Sequence, residues 1–170
     1  MRHHCSIHLQ QNVGVFLNAV IIMYNLMKNI LVIRILTLWF PVVIWAVVIF
    51  LFSSYPTSST SEIHWKDFIV KKTAHIIEYA IFCSLVFRAL KGSGMTSKKA
   101  AVYALGTSVV YGLTDEYHQS LTPGRDPRIR DVGFDTIGSV LSIYTIWILL
   151  PKAPKRFRVW AEKLQFSKEG

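Results

Sequence analysis

The chain has 170 residues, enough for one domain, and 52% of them are hydrophobic. These gather into long uncharged runs, a pattern that excludes an ordinary soluble chain and points to membrane helices. The formal net charge of +9 sits mostly in turns and the tail, so it reads as a topology and anionic-lipid signal, with no nucleic-acid partner implied.

Residues 1–34 come first as an N-terminal extension. Met1 to Gln11 is polar and histidine-containing, and Val13 to Met27 is apolar but interrupted by Asn18 and Asn25. A strong basic leader and a small-residue cleavage site are missing, so no signal peptide is read. Met27-Lys28-Asn29 makes a natural start for a chain whose first span follows directly. If the extension is part of the protein, it is expected as an interfacial helix or an extra span.

The first clear span is Ile35 to Phe52, 18 uncharged residues, about the minimum for a bilayer core. Pro41 inside it is tolerable in a membrane helix. Trp39 and Trp45 suit either interfacial anchoring or packing. Ser53 to Ser61 reads as a loop. Ser58 to Ser61 can cap a short interfacial helix holding Ile63, Trp65, Phe68 and Ile69. The second span is Thr73 to Leu90, with Lys72, His75, Glu78 and Tyr79 in or beside its first two turns. Gly92 to Lys99 is a basic turn. The third span, Ala100 to Thr114, carries Ala101, Ala104, Gly106, Ser108 and Gly112, small residues that favour close helix packing. The fourth runs from Val132 to Leu150 and ends at Pro151 and Pro154. Residues 151–170 form a basic cytoplasmic tail. The expected fold is therefore an all-α integral membrane protein, a bundle of four transmembrane helices.

Thirteen of the 19 Lys and Arg residues fall on the N-terminal side, the 2–3 turn and the tail. The positive-inside rule then places both termini of a four-span chain in the cytoplasm. Cys5 and Cys83 match no redox or metal spacing and are read as free thiols.

Between the third and fourth spans lies Tyr111 to Gly138, the most polar stretch beside a membrane core. Charge there is costly unless paired, wet or functional. Asp115, His118, Gln119 and Thr122 are spaced i, i+3, i+4, i+7 and share one helical face. Pro123-Gly124 turns the chain, and Arg125, Arg128 and Arg130 follow. Asp131, Asp135 and Gly138 then line one face of the next helix. Glu116 points away from the Asp115 face by helical phase, so exposure is expected for it. Tyr79 is expected to pack and hydrogen-bond.

Asp115-Glu116-Tyr117-His118-Gln119, Pro123-Gly124-Arg125, Asp131, Asp135 and Gly138 together resemble the signature of the VanZ-like membrane proteins. Phe52-Ser53-Ser54 with Pro56, and Lys72, His75, Glu78 and Tyr79, resemble two further pieces in the family's order. The resemblance covers roughly Leu36 to Leu150, so residues 35–150 are taken as the VanZ-like membrane domain. This chain departs from the pattern at Tyr55, where relatives often carry Gln, and at Asp135, where they often carry Asn. The resemblance implies a cell-membrane protein associated with teicoplanin resistance, and that lipid-anchored glycopeptide acts at the outer surface. It supplies no biochemical mechanism.

Several readings of the polar cluster stay open. In the first, Lys72, Arg125, Asp131, Asp135 and Gln119 bind a charged lipid or lipid-linked envelope ligand. In the second, His75 and His118 act as acid and base, with Glu78 and Asp115 setting their tautomers. In the third, His75, His118, Glu78 and the nearby aspartates hold a metal ion, although no HExxH or similar signature is present; no metal or cofactor is taken as implied. In the last, the charges pair only to fix helix registry, or the protein serves as a structural partner of another membrane protein.

Overall fold

The computed structural model describes the backbone of residues 2–55, 64–122, 128–164 and 166, and the side chains of 21–55, 68–122, 128–164 and 166. The described backbone is helical, without strands. Its helices are α1 (Arg2–Ser54), α2 (His64–Gly92), α3 (Ser97–Ser120), α4 (Ile129–Tyr144) and α5 (Lys155–Lys163). α4 is continued by a wide π turn, Thr145–Leu149, and a tight 3-10 turn, Leu150–Lys152. Contacts divide the chain into two units, Met1–Thr37 and Leu38–Gly170.

In the first unit, Ile21, Tyr24, Met27, Ile30 and Ile33 are all exposed. The second unit holds the core. Leu38, Val42 and Ile49 form one stripe on α1 and meet Tyr79, Phe82, Cys83, Val86 and Phe87 of α2. α3 adds Ala100, Ala101 and Ala104, and Ile143 and Ile146 come from α4 and its continuation. The buried row of α3 holds Ala101, Ala104, Ser108 and Gly112, as its sequence predicts, whereas Gly106, expected among them, is exposed and has nothing packed against it. Large apolar side chains also cover the outside, among them Val47, Val102, Val110, Ile137 and Leu141. Such a surface suits lipid and would be a liability in water.

The helix ends follow local chemistry. Ser54 donates its hydroxyl to the Phe50 carbonyl at 2.7 Å, and Tyr55 precedes Pro56, which disfavours further helix. After α2, Gly94 takes φ +98°, a left-handed conformation that glycine adopts without a Cβ clash. This lets the Gly94 and Met95 N–H groups cap the Lys91 and Leu90 carbonyls.

Among the described residues, three segments are long and apolar enough to cross a membrane: Ile21–Ser54, Phe68–Gly92 and Ile129–Lys152. α3, the expected third span, has 24 residues, or about 36 Å at the usual rise, but it is the least apolar of the four. One expectation is corrected. The separate interfacial helix around Phe68 and Ile69 does not exist as such, because α2 runs unbroken from His64. No proline or glycine lies between His64 and Leu90 to break it. The proposed cap at Ser58 to Ser61 lies outside the described residues.

Tryptophan and tyrosine fix α1 against its neighbours. Trp45 Nε1 donates to the Glu78 carbonyl at 2.9 Å, and Tyr111 donates its hydroxyl to the Ala46 carbonyl at 2.6 Å. Trp39 Nε1 reaches Ser93 Oγ at 3.3 Å, near the α2–α3 turn. Ser54 meets His118 at the other end. The 38–54 part of α1 therefore runs antiparallel to α2 and parallel to α3. The tail returns to the bundle: Arg88 Nε donates to the Leu164 carbonyl at 3.1 Å, and Phe166 packs on the core.

Candidate functional site

Carboxylates and their partners converge where α2 and α4 begin and α3 ends. Asp131, Asp135 and Gly138 are all buried on one face of α4, as their spacing predicts. That face meets α2. Lys72 pairs with Asp131. One turn on, His75 Nδ1 and Asp135 Oδ1 are 2.9 Å apart. At Gly138 the backbones touch, since a Cβ there would run into the Ile76 carbonyl oxygen. Ser139 donates its hydroxyl to the Asp135 carbonyl at 2.9 Å. The period of α4 thus matches that of α2 over three successive rungs.

Two aromatic rings flank the outer rung. Lys72 Nζ lies 5.6 Å from the centroids of both Phe68 and Phe134, within cation–π range. Arg130 also sits over Phe68, and its Nε is 3.9 Å from Asp131 Oδ1.

α3 supplies the remaining groups. Gln119 Nε2 donates to Asp115 Oδ2 at 2.9 Å, and both residues are buried. His118 turns instead toward α1. Its ring stacks on Phe50 at 4.3 Å between centroids, and Nε2 is 3.0 Å from Ser54 Oγ. Because Ser54 gives its own proton to the Phe50 carbonyl, the His118 ring N–H is the donor. Among the described contacts His118 is thereby an α1–α3 packing residue, and its hydrogen-bond partner is Ser54 where Asp115 was expected. Likewise, the carboxylate bonded to His75 is Asp135.

Glu116 corrects the sequence reading outright. It is only 8% exposed, and its Oε2 accepts the Arg128 backbone N–H at 2.8 Å. Helical phase along α3 aims it away from Asp115, but α4 starts on that side, and Glu116 satisfies the N-terminus of α4. Burial pushes its carboxyl above the ordinary range, and the Arg128 N–H opposes that. Tyr79 is fully buried and packs on Phe82 and Tyr111, as expected, but its hydroxyl finds no partner among the described residues. Arg125 lies outside the described residues. Among those described, no group of three or more His, Cys, Asp and Glu side chains is placed to hold a metal ion.

A family model described as VanZ/LLP1 matches residues 38–150. The chain belongs to the VanZ/LLP1 family. No curated protein and no solved structure matches it. The VanZ match begins where the compact second unit begins, at Leu38. All the site residues described above fall inside it, and α5 lies outside.

Within this VanZ domain, sequence reasoning brought out Lys72, His75, Asp131 and Asp135 but missed Gly112 and Phe134 as their neighbours, and Ser54 as the partner of His118. Gly112 carried a signal. It precedes Asp115 by three residues on the same face, and a Cβ there would lie 3.1 Å from Asp135 Oδ2. Its missing side chain is what admits the Asp135 carboxylate.

Proposed function

We propose that this VanZ-like membrane protein binds a lipid or cell-envelope ligand at the polar end of its helix bundle. The observation that carries this reading is the convergence of α2, α3 and α4 on one charged cluster, Lys72–Asp131, His75–Asp135 and Glu116 with the Arg128 N–H. Ionisable groups at the edge of a membrane core are retained at a cost that function explains. In a four-span topology with cytoplasmic termini, this end faces outward, because 13 of the 19 basic residues lie toward the other side. Arg128 and Arg130 at its exposed rim, with Arg125 between the helices in sequence, suit phosphate oxygens. Lipid-linked wall precursors are ligands of that chemistry. An effect on teicoplanin, a lipid-anchored glycopeptide met at the same surface, would follow from such binding.

The test is native mass spectrometry of protein released from gentle detergent, for wild type and for Arg128→Ala/Arg130→Ala. The expected result is a co-purifying lipid or lipid-linked molecule that is depleted in the variant. Bare protein in both samples would overturn the reading. A catalytic role is favoured by one observation. Asp135 orients the His75 ring through Nδ1, and Nε2 has no partner among the described residues, the arrangement of a positioned base. On that reading His75→Gln abolishes turnover of a lipid-linked substrate while folding survives; unchanged turnover would remove it.

A further inference from the structure

α2 and α4 leave an apolar groove between them, away from the polar cluster. Its volume is about 390 Å³, within the size range of small-ligand sites. Ile77, Ile81 and Leu85 line it on α2, with Leu141 and Ile146 opposite. The small side chains of Ala80, Ser84 and Ser142 keep it open. From Ile77 to Leu85 it follows α2 for about 12 Å at the usual helical rise. Ile77 and Leu141 are about half exposed, so the groove opens sideways and not into the core. Three hydroxyls also line it, and each is taken up by a carbonyl of its own helix or of that helix's continuation. Ser84 donates to Ala80 at 2.8 Å, Ser142 to Ser139 at 3.0 Å and Thr145 to Leu141 at 2.8 Å. No hydroxyl proton is left for an occupant, so the chemistry that fits this groove is hydrocarbon.

One end of the groove is built differently. Phe166 of the tail lines it there. Arg88 follows Leu85 by three residues and Ser84 by four, so it stands on the same face of α2, one turn beyond. Its Nε holds the Leu164 carbonyl at 3.1 Å, which uses one of the five guanidinium N–H groups. Lys152, Lys155, Arg156, Arg158 and Lys163 gather at this end, against Glu162 alone among the described residues of the tail. Phe157 and Trp160 share one face of α5 and are exposed, while its basic residues lie around the rest, the pattern of a helix at a membrane surface. We propose that the groove and α5 together bind one anionic phospholipid of the leaflet on the tail's side. An acyl chain lies between α2 and α4, and the charged head group meets Arg88 and the cations of α5. That head group sits at the opposite end of the bundle from Lys72, His75 and Asp135. It shares no residue with them, so this site stands independently of the ligand proposed at the polar end.

The experiment places the full chain in phosphatidylcholine vesicles that contain a little phosphatidylglycerol with a photoactivatable diazirine midway along one acyl chain. Labelled peptides are then mapped by mass spectrometry. Label should concentrate on residues 77–85 and 141–146. Unlabelled phosphatidylglycerol should displace it at least about fivefold better than added phosphatidylcholine, the factor that one basic residue near an anionic head group implies. Ala80→Phe and Ser84→Phe fill the groove from α2 and should each remove the label there. Arg88→Gln should keep the label and erase the preference for phosphatidylglycerol. Arg128→Ala/Arg130→Ala should leave both unchanged, which separates this site from the polar end. Label spread evenly over exposed apolar residues such as Val102, Val110 and Ile137 would reduce the groove to ordinary lipid contact and overturn the proposal. Equal displacement by phosphatidylcholine would overturn the anionic head group. Label absent from the groove, with Ser84→Cys chains cross-linking to each other, would seat a second copy of this chain there and overturn it too. The wild-type map needs no variant, so a substitution that fails to fold leaves the proposal falsifiable.

Discussion

The two ends of the second unit are packed by different means. Near the α2–α3 turn, Phe87 and Ala89 meet Ala100, Ala101 and Ala104, and small side chains bring the helices together without charge. At the other end, α2 and α4 approach through Lys72–Asp131, His75–Asp135 and the bare backbone of Gly138. Unpartnered groups also occur along the alanine row, at the Ser97 and Ser108 hydroxyls, but a neutral hydroxyl costs far less to bury than a carboxylate. The alanine end shows that these helices can pack closely without ion pairs. Registry alone therefore explains the paired charges at the polar end and not the surplus acceptors beside them.

The largest test of this contrast is Asp135→Ala. It leaves His75 without its partner in a buried setting and should cost about 3–5 kcal/mol, as expected for one half of a buried pair. Asp135→Asn keeps an acceptor for the ring and should cost clearly less. Unfolding in mixed detergent, followed by circular dichroism, measures both, and equal losses would show that the charge of Asp135 is immaterial to the fold. Next come substitutions that push each interface apart. Gly138→Ala and Ala104→Leu should each cost about 1–3 kcal/mol by overpacking. Gly138 should sit at the upper end, because it faces the Ile76 backbone, which cannot rotate away. A tolerated Gly138→Ala would mean that the α2–α4 contact is looser than its geometry implies. Smaller still is Tyr111→Phe, which removes the 2.6 Å bond to the Ala46 carbonyl and should cost about 0.5–1.5 kcal/mol.

Much of this was legible in the sequence because helices are periodic. Asp131, Asp135 and Gly138 share a face by spacing alone, and so does the small-residue row of α3. What spacing cannot give is the partner. His118 lies on the Asp115 face, yet its ring goes to Phe50 and Ser54 of α1, a choice fixed by tertiary packing across 64 positions. The error at Glu116 has the same origin. Phase about one helix axis says which way a residue points and not what stands there, and here the start of α4 stands there. The interfacial helix was misread for a different reason. Lys66, Asp67 and Lys71 look like the polar side of a separate amphipathic piece, but nothing between His64 and Lys72 breaks the backbone.

Glu116→Gln gives the smallest effect and the sharpest reading of the surplus acceptors. Burial raises the folded-state carboxyl above its ordinary value of 4.5, so the folded chain holds that proton more tightly than the unfolded one. Its contribution to stability is fully present below the unfolded value and is lost as pH rises through the raised folded value. Glutamine carries no such charge and retains an acceptor for the Arg128 N–H. The variant should therefore gain stability relative to wild type as pH rises from about 4.5 toward neutrality, the direction set by linkage. Melting both proteins in detergent across that range measures the difference. A gap that stays flat, or closes as pH rises, would mean that Glu116 is compensated by a cation in the folded chain.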